Sequence, residues 1–162
     1  MLTRRLARQQ FERTRSARSG VLSAAIIDVD HFKSVNDAHG HDIGDQVLKA
    51  LAQVLTRQLR AEDAKARWGG EEFVVLFPDL RPHAAKSVIA RALEDFRSQV
   101  FEGRFPFRVT FSAGIGSAPA DSVTLEGLLI AADRRLYRAK AMGRNTIEAP
   151  GSGRMSIAPS PR

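Results

Sequence analysis

Residues 67–77 read Arg67-Trp68-Gly69-Gly70-Glu71-Glu72-Phe73-Val74-Val75-Leu76-Phe77. Two glycines between apolar segments predict a tight hairpin turn, since glycine reaches positive φ at little steric cost. Two carboxylates follow at once, and then a β-rich run expected to be buried. Paired acids add nothing to the packing of a hairpin tip. They repel each other, and ionised carboxylates are costly to desolvate. A bound cation removes both problems, and a solvated acidic turn is the plain alternative.

The segments on either side supply the rest of a sheet. Val21–Ile27 is a short apolar run, read as a buried strand, and it ends in Asp28-Val29-Asp30. Residues 31–38 suit a short helix or turn stopped by Gly40. Ile43, Val47, Leu48, Leu51, Leu55 and Leu59 recur at helical spacing, predicting an amphipathic helix over 43–60 with Asp42 as its N-cap. The hairpin arms are placed at 64–68 and 72–77. Pro82 opens a helix to about residue 100, with Val88, Ile89, Leu93, Phe96 and Val100 inward. Alternation at Phe107, Val109, Phe111, Ala113 and Ile115 predicts a strand over 107–116. Thr124 caps a helix with Leu125, Leu128, Leu129, Ala132, Leu136 and Tyr137 inward, stopped at Gly143, and 144–148 adds a last short strand.

The order β-α-α-β-β-α-β-α-β, after a charged lead-in helix over 4–18 anchored by Leu6 and Phe11, predicts an α+β fold. Helices flank one central, mostly antiparallel sheet. A doubly wound fold is excluded, because no strand leads into G-x-G-x-x-G. Residues 1–149 are expected to form one domain. Residues 150–162, rich in Gly, Ser, Pro and Arg, are expected to be a disordered tail.

Composition removes several function classes. The 162 residues include no cysteine, so disulfides, thiolate zinc sites and a cysteine nucleophile are out. No apolar run approaches the roughly 20 residues of a membrane span, and the arginine-rich start lacks the apolar core of a secretory signal. A cytoplasmic domain is expected, with membrane attachment of the full protein left open. The net charge of +7 invites a nucleic-acid reading. Six arginines against Glu12 lie in residues 1–18, and Arg154 and Arg162 stand unopposed in 150–162. Residues 19–149 then hold 17 basic and 17 acidic side chains, so the body of the domain has no excess charge for a polyanion.

Acids stand at two places far apart in sequence: Asp28 and Asp30 at the end of the first strand, Glu71 and Glu72 at the hairpin. If the two strands are sheet neighbours, these ends meet. Hard oxygen ligands without Cys or clustered His suit Mg²⁺ or Mn²⁺ rather than zinc. Magnesium held by one or two carboxylates usually shares its shell with substrate phosphates.

These residues form a longer pattern. Asp28-x-Asp30-x-Phe32-Lys33-x-x-Asn36-Asp37, Gly40-His41-x-x-Gly44-Asp45 and Arg67-x-Gly69-Gly70-Glu71-Glu72-Phe73 closely resemble the GGDEF domain of diguanylate cyclases, in its GGEEF form. Ala132-Asp133-x-x-Leu136-Tyr137-x-Ala139-Lys140-x-x-Gly143-Arg144-Asn145 extends the resemblance, which runs from about residue 2 to 148. It implies a fold like the palm of nucleotidyl cyclases and polymerases. It also implies condensation of two GTP into cyclic di-GMP, with release of two pyrophosphates, across a homodimer. By the same resemblance two Mg²⁺ ions are held by Asp28, the Val29 carbonyl, Glu71 and Glu72, and Glu71 favours deprotonation of the 3′-hydroxyl. Asn36 and Asp45 read guanine, with His41 close by. A site of that kind rejects the wrong base by roughly 10⁴, because a buried polar group is left unpaired. Lys140 and Arg144 hold the triphosphate, and Lys33 and the backbone at Phe32 add phosphate contacts.

Arg60-Ala61-Glu62-Asp63 resembles the R-x-x-D inhibitory site that binds the family's product, with Arg91 as a secondary arginine. The start, Met1-Leu2-Thr3-Arg4-Arg5, resembles only the last part of the family's opening segment, so truncation and an upstream sensor or dimerisation module are expected. The rival reading is a silent cyclic di-GMP receptor that uses Arg60 and Asp63 without turning over GTP.

Overall fold

A computed structural model describes residues 8, 9, 11–13 and 20–151. The elements are β1 (Leu22–Val29), α1 (Phe32–His39), α2 (His41–Gln58), β2 (Ala64–Arg67), β3 (Glu72–Pro78), α3 (Pro82–Arg97), β4 (Phe101–Glu102), β5 (Pro106–Phe107), β6 (Phe111–Ala118), α4 (Leu125–Ala141) and β7 (Ile147–Glu148). Five strands form one sheet in the order β2-β3-β1-β6-β7, antiparallel except for the parallel β6–β7 edge, while β4 and β5 make a separate small hairpin. This is the α+β architecture expected from the order of elements.

Both faces of the sheet are covered, which is why its central strands are apolar runs rather than alternating ones. Ala25, Ile27 and Val29 of β1, with Phe73, Val75 and Phe77 of β3, face a core built with α1, α2 and α3. Ala24, Ile26, Val74 and Leu76 face the opposite core, closed by Leu125, Leu128, Ala132 and Leu136 of α4 and by Phe11. Residues 8, 9 and 11–13 are helical, and Arg8 pairs with Glu126 at 2.7 Å. The remainder of the expected lead-in helix, and the expected tail beyond Gly151, lie outside the described residues.

The approach of α4 depends on two glycines in β6. A Cβ on Gly114 would overlap the backbone at Ala132 and Leu136, and one on Gly116 would overlap the Leu128 carbonyl. Thr124 caps α4 as expected, its Oγ1 accepting from the Gly127 N–H at 3.1 Å.

Several local expectations are corrected. Neither Gly69 nor Gly70 has a positive φ, and the turn closes through the Trp68 N–H on the Glu72 carbonyl at 2.7 Å. The Arg67 guanidinium braces the tip by donating to the Gly70 carbonyl at 2.9 Å. Asp42 is not the N-cap of α2: Gly40 takes that position at φ 91°, and Asp42 lies in the first turn. The strand expected over 107–116 is displaced to 111–118, because 106–107 turns back on 101–102. Val100 lies beyond α3 and Tyr137 on the outer face of α4, both exposed. The last strand is only Ile147–Glu148, since Arg144 and Asn145 form a left-handed turn (φ 65° and 50°).

Gly114→Val should therefore cost about 3 kcal/mol or more, because the neighbour that must yield is helix backbone. Gly70→Ala, with nothing within 4 Å of the new Cβ, should change stability by less than about 0.5 kcal/mol. Urea unfolding of the two variants beside the parent measures the contrast.

Candidate active site

The antiparallel register of β1 and β3 sets Asp28 opposite Glu72. The Val29 N–H reaches the Glu71 carbonyl at 3.4 Å, so the end of β1 and the hairpin tip share one corner of the sheet. Asp28 and Glu72, more than forty residues apart in sequence, come together there as the strand-neighbour argument required. The same corner receives Lys140 from the last turn of α4, whose Nζ lies 2.9 Å from Asp28 Oδ1. No local sequence pattern signals that ion pair between an expected metal ligand and an expected phosphate-binding cation.

Burial pushes the Asp28 carboxyl above its ordinary range. Lys140 works against this through its hydrogen bond and charge, while Glu71 and Asp30 reinforce it. The Glu72 carboxyl is also raised, first by burial and then by Asp28, with Lys140 opposing. The corner is a site of compressed negative charge that a cation relieves. Its donors are oxygens only, the chemistry preferred by magnesium. Among the described residues no three His, Cys, Asp or Glu side chains form a ready-made metal cluster.

Asp30 does something else. It is buried, and its carboxylate accepts from Thr110 Oγ1 at 2.6 Å, Ser112 Oγ at 2.7 Å and the Asn145 N–H at 3.0 Å. It ties β1 to β6 and to the turn that carries Arg144. Asp30 therefore leaves the candidate ligand set as a structural clamp. The sequence holds no signal for this role, because the three donors lie 80 to 115 residues away.

Further candidate residues lie on α1 and α2, the helices that cover the opposite face of the sheet from α4. Asn36, half-buried on α1, has an Oδ1 that is buried and without a hydrogen-bond partner. His41 opens α2, and Asp45 follows one turn later; both are exposed. Phe32 is buried, and Lys33 pairs with Asp37 at 3.3 Å on the outer side of α1. Arg144 is exposed on the left-handed turn after α4, held there by its N–H on the Ala139 carbonyl at 3.1 Å.

The Arg60 group lies apart from this corner, in the link between α2 and β2. Arg60 and Asp63 are engaged with each other: Nη2 to Oδ1 at 2.9 Å and the Arg60 N–H to Oδ2 at 2.9 Å. Arg60 also reaches Glu62 at 3.1 Å and the Pro78 carbonyl at 3.2 Å. Arg91 of α3 donates to Gln58 Oε1 at 3.3 Å.

The family model described as "Diguanylate cyclase, GGDEF domain" matches residues 1–146. The chain belongs to that family. The response regulator PleD of Caulobacter vibrioides is 42% identical over 129 residues, covering 78% of this chain and 28% of PleD. The diguanylate cyclase DgcP of Pseudomonas aeruginosa is 39% identical over 148 residues, covering 91% of this chain and 22% of DgcP. The chain thus spans about a quarter of the length of these relatives. The active GGEEF domain of a diguanylate cyclase from Vibrio cholerae superposes with a TM-score of 0.79 at 30% identity, covering 86% of this chain and 88% of that one. The GGDEF domain of DgcB from Caulobacter crescentus, solved with c-di-GMP, gives 0.83 at 28% identity, covering 91% and 88%. No helix among the described residues is long and apolar enough to cross a membrane.

The raised Glu72 carboxyl has a consequence for stability. A carboxyl whose folded pKa exceeds its unfolded value is stabilising when protonated, and that stability is lost as pH rises through the window above the ordinary glutamate value. Without added metal, Glu72→Gln should be more resistant to urea than the parent at pH 7. The difference should shrink as pH falls toward 4, where the parent's own carboxyl is protonated.

Proposed function

We propose that this GGDEF-family domain is a diguanylate cyclase, condensing two GTP into cyclic di-GMP with release of two pyrophosphates. The observation that carries the proposal is the register pairing of Asp28 with Glu72, beside Glu71 and against Lys140. It puts an oxygen-rich anionic corner and a phosphate-seeking cation within one site. The silent-receptor alternative gives no reason for this corner.

Asp28, the Val29 carbonyl, Glu71 and Glu72 would hold Mg²⁺. When bound, the ions supply positive charge opposite the triphosphate and the departing pyrophosphate. The chain's own groups do the rest. Lys140 exchanges Asp28 for the triphosphate and grips it together with Arg144, four residues on, as charge-assisted donors. Lys33 and the backbone at Phe32 add phosphate contacts. Asp45 accepts from the N1–H and N2–H edge of guanine, an edge adenine lacks, and Asn36 makes a second contact to the base. His41 lies beside the nucleotide.

Each chain binds one GTP, and two chains face each other antiparallel. Glu71 stands by the 3′-hydroxyl and favours loss of its proton. The 3′-oxygen then attacks the α-phosphorus of the opposite GTP, and the bond to pyrophosphate breaks. A second, symmetric attack closes the ring. The protein's contribution is alignment and charge complementarity. Product inhibition is assigned to Arg60, Asp63 and Arg91. For product to bind, the Arg60–Asp63 pair opens, so that Arg60 donates to guanine O6 and N7 in a fork and Asp63 accepts from a guanine edge.

Incubation with GTP and Mg²⁺, read by mass measurement of products, tests the proposal. Cyclic di-GMP should form, with specific activity rising with protein concentration, and Glu71→Ala should lower the rate at least about a hundredfold. Equal product from Glu71→Ala would remove the metal and catalytic assignment. No product at high protein concentration, with cyclic di-GMP binding retained, would make the domain a receptor. Arg60→Ala should raise product accumulation severalfold; unchanged accumulation and unchanged product affinity would remove the inhibitory site.

A further inference from the structure

Gly44 lies in the first turns of α2 and is buried. Its φ is not positive, so the backbone does not require glycine there. A glycine inside a helix is less favourable than alanine by about 1 kcal/mol. Stability alone therefore favours a side chain at this position.

Two backbone hydrogen bonds explain what lies above it. The Gly40 N–H donates to the Asn36 carbonyl at 2.8 Å, and the Gly44 N–H donates to the Gly40 carbonyl at 3.1 Å. The end of α1 is thereby folded onto the start of α2, and the Asn36 side chain lies over the bare Cα of Gly44. A Cβ on Gly44 would stand 3.0 Å from Asn36 Cγ and 3.2 Å from Phe32 Cζ, and would overlap Asn36 Oδ1 outright. No backbone atom is among these near neighbours. The same Oδ1 is the buried acceptor without a partner.

We propose that Gly44 is a specificity-determining positioning residue: its missing side chain is the cradle that receives the buried Asn36 Oδ1 and so turns the amide NH₂ outward to donate to guanine O6, where adenine carries a donor of its own. This deepens the proposed function and rests on its reading of Asn36 as a guanine contact. A methyl group at Gly44 overlaps the Asn36 amide and touches the Phe32 ring tip, with no backbone among these neighbours, so the amide swings away and the ring gives by a few tenths of an ångström while the fold survives. Base discrimination falls and the helix gains propensity. A residue needed only for packing gives the opposite sign in stability and no change in the ratio between bases.

The test uses Gly44→Ala, Asn36→Ala and the double variant, each melted without nucleotide and titrated calorimetrically with non-hydrolysable GTP and ATP analogues in Mg²⁺. Gly44→Ala should melt at or above the parent temperature. Its affinity for the GTP analogue should fall roughly tenfold, as expected for one lost hydrogen bond to a polar base edge, with affinity for the ATP analogue unchanged. The double variant should match Asn36→Ala, because the cradle has nothing left to hold. Parental selectivity in Gly44→Ala would overturn the inference while leaving the function intact. So would a further loss on adding Gly44→Ala to Asn36→Ala. If Gly44→Ala melts lower, removing the Asn36 amide in the double variant must restore the melting temperature; failure to do so overturns the inference. A parent that binds both analogues equally removes the guanine reading and the inference with it.

Discussion

The antiparallel register of β1 against β3 is the constraint on which the site depends. Side chains alternate faces with a period of two, so a slip of one residue would turn the slipped strand's core residues to the opposite face. If β3 slipped, Phe73 would leave the core beneath the helical layer, where it lies beside Ile27, for the face covered by α4. The same slip would separate Asp28 from Glu72. Core packing and site assembly are therefore one condition. The hydrophobic pattern that holds the register also brings the carboxylates together.

That corner works against the stability of the domain that builds it. Asp28 and Glu72 are drawn from water and toward each other, and both carboxyls are pushed up as a result. Lys140 offsets part of this at 2.9 Å. It comes from the last turn of α4, where a cation also complements the helix dipole. The seating of α4 thus matters for chemistry as well as packing. Gly114 and Gly116 let the helix down onto β6, and Asp30 fastens the turn after it through the Asn145 N–H. Asp30 thereby holds the turn that carries Arg144.

Much of this was legible in the chain. Apolar runs marked β1 and β3, helical spacing marked α2, α3 and α4, and Pro82 and Thr124 marked helix starts. These signals are local, and local physics decides them. The errors have local explanations too. Phe107 and Phe111 share a pattern but not a strand, since the backbone between them leaves the sheet. Tyr137 carries an apolar label yet points outward on α4. Asp42 resembles a cap, but Gly40 already turns the chain there at φ 91°. At the hairpin the glycines were expected to supply positive φ, and the loop of residues 68–71 between β2 and β3 closes without it.

The sequence by itself determined the elements, their order, and which residues carry oxygen, amide and cationic groups suited to a nucleoside triphosphate. Each of those follows from a residue and its near neighbours. Only the tertiary structure decided how they divide the work. Asp28 and Asp30 are two positions apart and chemically identical. One faces Glu72 and Lys140, and the other is enclosed by Thr110, Ser112 and Asn145. Gly44 is an ordinary helix position until Asn36 is seen lying over it. The reason is common to both: a carboxylate's role is set by the donors around it and a glycine's by what fills its space. Those neighbours arrive from other parts of the chain.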